Sequence, residues 1–384
     1  MPFKSICLIS RSSYPYPISR HTQNMQTFDG WSRFWDNVVI LAQCGSNKRQ
    51  VSEHKRVYGV LLPLISNRYL NIMYFTFFGI FEINKLFKKY NFEIFQASDA
   101  GGAVLALIAS KIYKRHFIFE IQGDIFDYPS EDGNKIHSKL VKLFSRFLAK
   151  QADYIRIVSP FLYVPLDKLN IDRKKIFLVP PRCDSKLFNK KNVNNIKPKE
   201  FNGSSFNLLF VGNIISAKGV DILLEAFALI NKENPDIGLI FLGEGHEKEN
   251  LIRRAEKLCL NNKVKFVGRV EYSLIPTFMH YSDILILPSI DEGVGRVLLE
   301  AMAMKLPIIA SKTGGIPLVI NENEDGLLFK VGDIIALKRH VMLLISDPKF
   351  AASLSKIGYK KFLTTYEYDV SMKIFIDMYK AILD

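Results

Sequence analysis

The stretch Glu292-Gly-Val-Gly-Arg-Val-Leu-Leu-Glu300 joins a predicted strand to a predicted helix and decides the fold class. The apolar run before it, at residues 283–289, is typical of a buried parallel strand. The residues after Gly295 predict a helix over 296–304, which Pro307 brings to an end. A glycine loop between a parallel strand and a helix lies at the carboxyl edge of a sheet. Open α/β sheets bind their ligands at that edge.

The chemistry of this loop follows from its two carboxylates and two glycines. Gly293 and Gly295 allow the backbone to approach a ligand closely, and the helix N-terminus favours a phosphate. Glu292 would repel a phosphate but can accept hydrogen bonds from sugar hydroxyls. Glu300, about two helical turns further on, could accept hydrogen bonds from a second pair of hydroxyls. Phosphate plus hydroxyls describes a sugar nucleotide. The same sequence would also arise if Glu292 only stabilised the helix through its dipole and Glu300 were a partly buried surface acid with no ligand.

The composition is that of a globular chain with two or three domains. It has 384 residues, of which 48% are hydrophobic. No signal peptide precedes the first predicted strand, so we expect a cytoplasmic protein. The scattered cysteines have no metal-ligand spacing and suit structural roles in a reducing compartment. They are Cys7, Cys44, Cys183 and Cys259.

The net charge of +14 is concentrated in the N-terminal half. Residues 1–190 contain 28 Lys and Arg against 15 Asp and Glu, a net of +13. This asymmetry indicates an anionic partner there: a membrane surface, a pyrophosphate-linked acceptor or nucleic acid. No nucleic-acid motif is present, which argues against the last. A peripheral position at the inner face of the cell membrane fits the first, and a merely well-solvated basic surface remains the alternative.

Short apolar runs alternate with helical patterns in both halves, which predicts α/β domains with helices on both faces of parallel sheets. Predicted strands lie at 6–10, 38–42, 57–60, 93–97, 117–121, 154–158, 176–179, 207–211, 237–242, 264–267, 284–287 and 307–310. Predicted helices lie at 23–34, 71–89, 102–113, 136–151, 161–168, 220–232, 248–260, 273–281 and 296–304.

The domain boundaries follow from a change in composition. Residues 189–205 are polar, rich in Asn and Lys, and read as a linker. We therefore predict an N-terminal acceptor-side domain at 1–188 and a donor domain at 206–345. Helices at 346–384 have the length to return to the first domain. The predicted fold is two Rossmann-like, doubly wound domains facing across a cleft.

Four further strand ends in the second half are also followed by glycine loops. Gly212-Asn213 leads to Lys218-Gly219, and the others are Gly243-Glu244-Gly245, Gly268-Arg269 and Thr313-Gly314-Gly315. Lys218 opens a helix, where the dipole disfavours a cation unless a phosphate binds there. Each loop alone is ordinary turn chemistry, and Lys218 alone could be a solvent-exposed lysine. Five such loops in register predict a rim the size of a nucleotide.

These motifs, in this order, resemble the donor domain of family 4 glycosyltransferases. The resemblance covers roughly residues 206–330 and includes Phe241-Leu-Gly-Glu-Gly, Leu287-Pro-Ser and Glu300-Ala-Met-Ala. It implies the two-domain GT-B fold and transfer of a hexose-type sugar from a nucleoside-diphosphate sugar with retained configuration. The acceptor would be a glycan or a lipid-linked molecule in surface polysaccharide or glycolipid synthesis. It implies no cofactor and no metal.

The resemblance also implies roles for matched positions. Glu292 would bind hydroxyls of the donor sugar and Glu300 those of the ribose. The amides of Gly293, Val294 and Gly295 would meet the sugar or phosphate. Lys218 would neutralise the departing diphosphate, on which negative charge develops.

Three positions depart from the family pattern, two in the second half and one in the first. Asn213 stands where many relatives carry Arg, so Lys218 should matter more, and Arg269 or Arg296 could compensate. Leu318 stands where relatives commonly have Glu. In the first half, Gln122-Gly-Asp124 replaces a His that often faces the sugar. Gln122 cannot act as a base, and Asp124 could do so or could simply form a turn.

A basic amphipathic helix over 136–150 is the candidate for acceptor or membrane contact. Its basic residues are Lys135, Lys139, Lys142, Arg146 and Lys150, opposite Leu140, Leu143, Phe144, Phe147 and Leu148. The pattern favours a helix packed on the sheet with its basic face in solvent. The same basic face would also suit anionic lipid. The aromatic stretch 61–87 is either core or a lipid-facing surface.

Two other functions remain open from the sequence alone. A sugar-nucleotide epimerase could use the same fold, although few acid or base residues are available in the first half. A non-catalytic subunit that binds sugar nucleotides would also fit, because Asn213 and Gln122 replace the residues that relatives commonly have.

Overall fold

A computed structural model of the protein describes residues 3–13, 30–121, 135–193 and 195–384. The chain divides into two compact units. The first comprises Met1–Val179 with Ile374–Asp384, and the second comprises Pro180–Lys373. Each unit is built on its own β-sheet, flanked by helices that follow the strands in the chain.

The first unit has an eight-stranded sheet in the order β3-β4-β2-β1-β5-β6-β7-β8. Its strands are β1 Phe3–Ser13, β2 Trp35–Cys44, β3 Gln50–His54, β4 Val57–Pro63, β5 Ile94–Ala97, β6 His116–Ile121, β7 Tyr154–Ile157 and β8 Ile176–Leu178. The wholly parallel sheet predicted from the sequence is wrong at one edge, because β3 pairs with β4 in an antiparallel hairpin. The sequence of β3, Gln-Val-Ser-Glu-His, is mostly polar because the strand is only partly buried, so it does not show the apolar pattern of a strand.

Helices of the first unit follow several of these strands. They are α1 Arg68–Tyr90, α2 Ala100–Tyr113, α3 Lys135–Gln151 and α4 Tyr163–Asp167. Asp99 caps α2 because its carboxylate accepts a hydrogen bond from the Gly102 amide at 2.8 Å. Helix α2 contacts both α1 and α3, so the three helices form one layer.

The second unit has a six-stranded parallel sheet in the order β11-β10-β9-β12-β13-β14. Its strands are β9 Phe206–Val211, β10 Ile237–Leu242, β11 Val264–Gly268, β12 Ile284–Leu287, β13 Ile308–Ser311 and β14 Leu327–Phe329. The chain starts at β9, moves outward to β11, and then returns to place β12 on the other side of β9. The strand order therefore reverses between β9 and β12, which makes the loops after these two strands the expected ligand site.

The helices of the second unit cover this sheet. They are α5 Val220–Glu233, α6 Lys248–Lys257, α7 Ile275–His280, α8 Arg296–Met304, α9 Ile316–Val319, α10 Ile334–Ser346 and α11 Pro348–Lys361. The strands are nearly all aliphatic or aromatic, and a fully buried cluster including Phe210, Phe227 and Phe241 forms the core. Burial on both faces explains why these strands read as continuous apolar runs.

The polar segment 189–205 contains two short 3₁₀ helices, Lys190–Asn192 and Lys199–Phe201. Phe201 is buried and packs against the rings of Phe278 and Tyr281. This segment is therefore part of the second unit in the structure.

The last helix, α12 Tyr368–Leu383, contributes to the core of the first unit. Phe375, Met378 and Tyr379 are buried in the cluster that contains Trp35. The Tyr379 hydroxyl donates a hydrogen bond to Gln96 of β5 at 2.6 Å. In the described part of the chain, no helix combines the length and the apolar character that crossing a membrane requires.

Candidate active site

The loop after β12 leads into α8 as the sequence predicts. Strand β12 is completely buried, and Gly295 adopts a left-handed conformation with φ of 72° immediately before α8 begins. Within the described residues, the amides of Gly293 and Val294 donate to no carbonyl or side chain. Free amides at a helix N-terminus favour an anion.

The glycine loops contact one another through their backbones. A Cβ on Gly314 would lie 1.9 Å from the Glu292 carbonyl oxygen, and a Cβ on Gly219 would lie 2.1 Å from that of Pro288. The amide of Gly315 donates a hydrogen bond to the Glu292 carbonyl at 3.1 Å. The loops after β9, β12 and β13 therefore form one interlocked rim, and no side chain fits where they touch.

The loop after β10 joins the same rim. Gly243 could not carry a side chain, because a Cβ there would lie 1.9 Å from the Gly212 carbonyl oxygen. The Ile214 amide donates to the Glu244 carbonyl at 2.8 Å, and the Gly243 amide donates to the Gly268 carbonyl at 2.9 Å. All five predicted glycine loops thus lie at the carboxyl edge of one sheet.

Lys218 and Glu292 meet across the reversal point between β9 and β12. The Lys218 ammonium donates a hydrogen bond to Glu292 Oε2 at 2.5 Å, and Ser289 Oγ donates to the same oxygen at 3.2 Å. Both charged side chains are partly buried, with 22% and 13% of their surface exposed. A positive and a negative side chain are therefore paired, partly out of water, at the edge of the sheet where a ligand is expected.

Glu300 lies on α8 and is buried, with its carboxylate accepting a hydrogen bond from the Tyr272 hydroxyl at 2.8 Å. Burial raises the pKa of Glu300, while the Tyr272 hydrogen bond and the positive charge of Arg296 partly offset that rise. Burial, assisted by the charge of Glu300, also raises the pKa of Tyr272, which keeps the phenol protonated as a donor.

Tyr272 is the residue of this site that the sequence did not indicate. It lies in the 3₁₀ turn Tyr272–Leu274, directly after β11, and its ring packs against Phe188 at 5.4 Å between centroids. Near them, burial and then the charge of Glu300 raise the pKa of the Cys183 thiol well above its usual range. An aromatic residue in a turn has no distinctive spacing, so only the folded chain reveals its partner.

The remaining residues predicted for the site do not form hydrogen bonds with Lys218 or Glu292 within the described part of the chain. Asn213 and Arg269 are exposed, in the loops after β9 and β11. Arg296 is exposed at the start of α8, and Leu318 is in α9. Gln122 and Asp124 lie outside the described residues.

Comparison with known proteins identifies the second unit. Residues 192–361 match the family model described as "Glycosyl transferases group 1". These residues belong to the group 1 glycosyl transferases. This confirms the resemblance that the motifs indicate. The glycosyl transferase match contains all five glycine loops, the Lys218–Glu292 pair and Glu300.

The chain is also similar to curated and solved glycosyl transferases. It is 30% identical over 239 residues to N-acetyl-alpha-D-glucosaminyl L-malate synthase of Bacillus anthracis, which covers 62% of this chain and 61% of that protein. The chain thus matches about three-fifths of this relative's length.

Two solved structures match along nearly the whole length. Sucrose-phosphate synthase from Thermosynechococcus elongatus gives a TM-score of 0.81 with 18% identity over 99% of each chain. HepE of Anabaena in complex with UDP gives 0.76 with 17% identity over 99% of each chain. At these identities the likeness is one of fold. The predicted class, GT-B with two Rossmann-like domains, is confirmed.

Within the part of the chain that the structure describes, no group of three or more His, Cys, Asp or Glu side chains is arranged to hold a metal ion. The charged groups around the reversal point include the Lys218 ammonium, the carboxylates of Glu292 and Glu300, and the Arg296 guanidinium.

Proposed function

We propose that the protein is a retaining glycosyltransferase that moves a hexose-type sugar from a nucleoside-diphosphate sugar to a glycan or a lipid-linked acceptor. The observation that carries this proposal is the Lys218–Glu292 pair at the reversal point of the second sheet. A single ligand bound there meets a cation, a carboxylate and the free amides of Gly293 and Val294. A sugar diphosphate has the complementary charges and hydroxyls.

Each residue has a distinct task in this proposal. Lys218 stabilises the negative charge that develops on the leaving diphosphate, in an environment partly removed from water. Glu292 accepts hydrogen bonds from hydroxyls of the sugar. Glu300, oriented by Tyr272, accepts hydrogen bonds from the ribose. HepE binds UDP on the same fold, which supports a nucleotide ligand for this chain.

The transfer balances without a metal ion or an enzyme nucleophile. The bond between the anomeric carbon and the phosphate oxygen breaks, and a bond from the acceptor hydroxyl oxygen to the same carbon forms. The hydroxyl proton passes to the departing diphosphate. Attack on the face from which the diphosphate leaves retains the configuration.

An anionic membrane surface is the further partner that we propose, for the first unit. Its support is the charge of residues 1–179, the main part of this unit, which contain 25 Lys and Arg against 14 Asp and Glu. A lipid-linked acceptor in surface polysaccharide or glycolipid synthesis would be presented at such a surface.

The test begins with a thermal-shift screen of nucleoside diphosphates and their sugars, because a ligand of the folded state raises Tm by mass action. The stabilising donor is then incubated with glycan and lipid-linked acceptors, and the anomeric configuration of the product is read by NMR. A new glycosidic bond of retained configuration is expected. Interconversion of the donor sugar without an acceptor would identify an epimerase. Binding without turnover over all donors and acceptors would identify a non-catalytic subunit.

A further inference from the structure

Helix α1 presents an apolar stripe to solvent rather than to the core. Leu70, Met73, Phe77 and Phe81 recur every three to four residues along one side of the helix, and all four are exposed, Met73 to 69%. The rings of Phe77 and Phe81 contact each other edge to face at 5.0 Å. A helix of a folded domain normally turns such a stripe inward.

Helix α3 has the same character. The sequence favours packing of its apolar face on the sheet, and this expectation is wrong in part. Leu148 is buried, but Leu143, Phe144 and Phe147 are exposed, Leu143 to 66%. They line a surface groove together with Arg146 and Lys150. Apolar and basic side chains therefore share the outer side of α3.

The layer of α1, α2 and α3 joins these two features. Helices α1 and α2 approach so closely that a Cβ on Gly79 would lie 2.3 Å from the Leu105 side chain. The Tyr113 hydroxyl of α2 donates to Asn84 of α1 at 3.0 Å. Between the two apolar regions, Ile112 of α2 is also exposed. The outer side of this three-helix layer is called the helical face below.

The charge of these helices is almost entirely of one sign. Their sequences contain ten Lys or Arg and one acidic residue, Glu82. Glu82 is buried and already neutralised, because both of its carboxylate oxygens accept hydrogen bonds from Arg49, at 2.9 and 2.8 Å. Three helices thus account for a net charge of +9 without any exposed acidic side chain of their own.

We propose, building on the membrane partner proposed above for the first unit, that the helical face docks on the surface of an anionic lipid bilayer. Its aromatic and aliphatic side chains enter the boundary between headgroups and acyl chains, and its basic side chains contact the lipid phosphates. Apolar residues beside Lys and Arg are the composition of helices that lie in a membrane interface. Two copies of the chain would bring like charges together. A nucleic acid would leave the apolar stripe in water.

The test measures co-sedimentation of the full chain with vesicles. Vesicles of phosphatidylcholine mixed with phosphatidylglycerol should bind the protein, and vesicles of phosphatidylcholine alone should bind it much less. The double variant Arg146→Gln/Lys150→Gln should lower partitioning by about fivefold for each charge removed. The double variant Phe77→Gln/Phe81→Gln should lower it at least as much, and this loss should persist in high salt because apolar contacts are not screened.

Ile335→Gln is the matched control, because Ile335 is 65% exposed on α10 in the second unit. It should bind vesicles like the unchanged protein. Circular dichroism and Tm establish that each variant is folded. In a second measurement, Phe81→Trp fluorescence should shift to the blue and be quenched by brominated lipid. Equal binding to both vesicle types, a Phe81→Trp spectrum unchanged by lipid, or a dimer in solution that Phe77→Gln/Phe81→Gln dissociates would overturn the proposal.

Discussion

Lys218 donates a hydrogen bond to Glu292 over 2.5 Å, from the loop after β9 to the loop after β12. These two loops flank the point at which the strand order of the second sheet reverses. The ion pair therefore marks the position where the amide groups, the cation and the carboxylate of the proposed donor site converge.

Replacing Lys218 should slow transfer more than it weakens binding of the donor. Lys218→Met should lower kcat by about 100-fold or more, because the cation acts on charge that develops as the diphosphate leaves. Steady-state kinetics with the identified donor would measure this, with Kd for the nucleoside diphosphate as a second readout.

The neighbouring loop supplies the control for that experiment. Lys248 pairs with Glu244 at 2.6 Å, and its side chain is 21% exposed, close to the 22% of Lys218. Lys248→Met should therefore keep turnover within about twofold of the unchanged enzyme, as surface ion pairs contribute little. If both variants were equally active, Lys218 would have no part in the reaction.

Tyr272→Phe should raise KM for the donor and leave kcat comparatively unchanged. The variant leaves one oxygen of the buried Glu300 carboxylate without a partner, which costs about 1–3 kcal/mol and loosens its orientation toward the ribose. Donor KM, kcat and the affinity for a 2′-deoxynucleotide would be measured. The 2′-deoxynucleotide should lose less affinity than the ribonucleotide, because it makes fewer hydrogen bonds to the carboxylate.

Tyr281→Phe is the comparison for Tyr272→Phe, since the Tyr281 hydroxyl donates to a backbone carbonyl, that of Asn195, at 3.0 Å. Its donor KM should stay at the original value. An identical effect of both changes on KM would show that general destabilisation is responsible.

Glu300→Gln should increase stability at neutral pH while weakening nucleotide binding. Burial raises the pKa of Glu300 above its usual 4.5, so the folded state binds this proton more tightly than the unfolded state does. The resulting cost is absent below pH 4.5 and grows as the pH rises through the raised pKa. Thermal unfolding followed across this range should show a shallower loss of Tm for Glu300→Gln. A steeper loss would contradict the predicted direction.

Gly314→Ala should disturb the rim through contact as well as through backbone strain. Gly314 has φ of 50°, and a Cβ there would lie 1.9 Å from the Glu292 carbonyl oxygen. Gly332 has φ of 82° but nothing within 4 Å, so Gly332→Ala isolates the strain alone, about 1–2 kcal/mol. Chemical denaturation and donor affinity would be measured for both. Gly314→Ala should lose more stability and should also lose affinity, whereas Gly332→Ala should bind normally.

Much of the second unit could be predicted because each of its signals is local. The sequence predicts a helix over residues 296–304, and these residues form α8. In the structure, Gly295 precedes this helix in a left-handed conformation and Lys305 ends it with φ of 58°. Repeated strand–glycine–helix patterns likewise place the five loops at one edge. The partner of Glu300 could not be predicted, because Tyr272 reaches it from a separate turn.

The first unit was harder to predict from local signals. Strand β3 carries too few apolar residues to be distinguished from a loop, and only its pairing with β4 defines it. The apolar residues of α3 have helical spacing, but spacing does not show whether such a face meets the core or lies outside. Leu143 and Leu148 are five positions apart with opposite exposure.

The placement of α12 determines when the first unit can complete its fold during synthesis. The first unit needs Phe375 and Tyr379 to fill the space beside Trp35, yet these residues leave the ribosome after the whole second unit has been made. Until then, apolar side chains of the nascent N-terminal half that surround Trp35 lack their packing partners from α12. A premature stop codon before residue 375 would therefore damage the portion of the protein that was translated first.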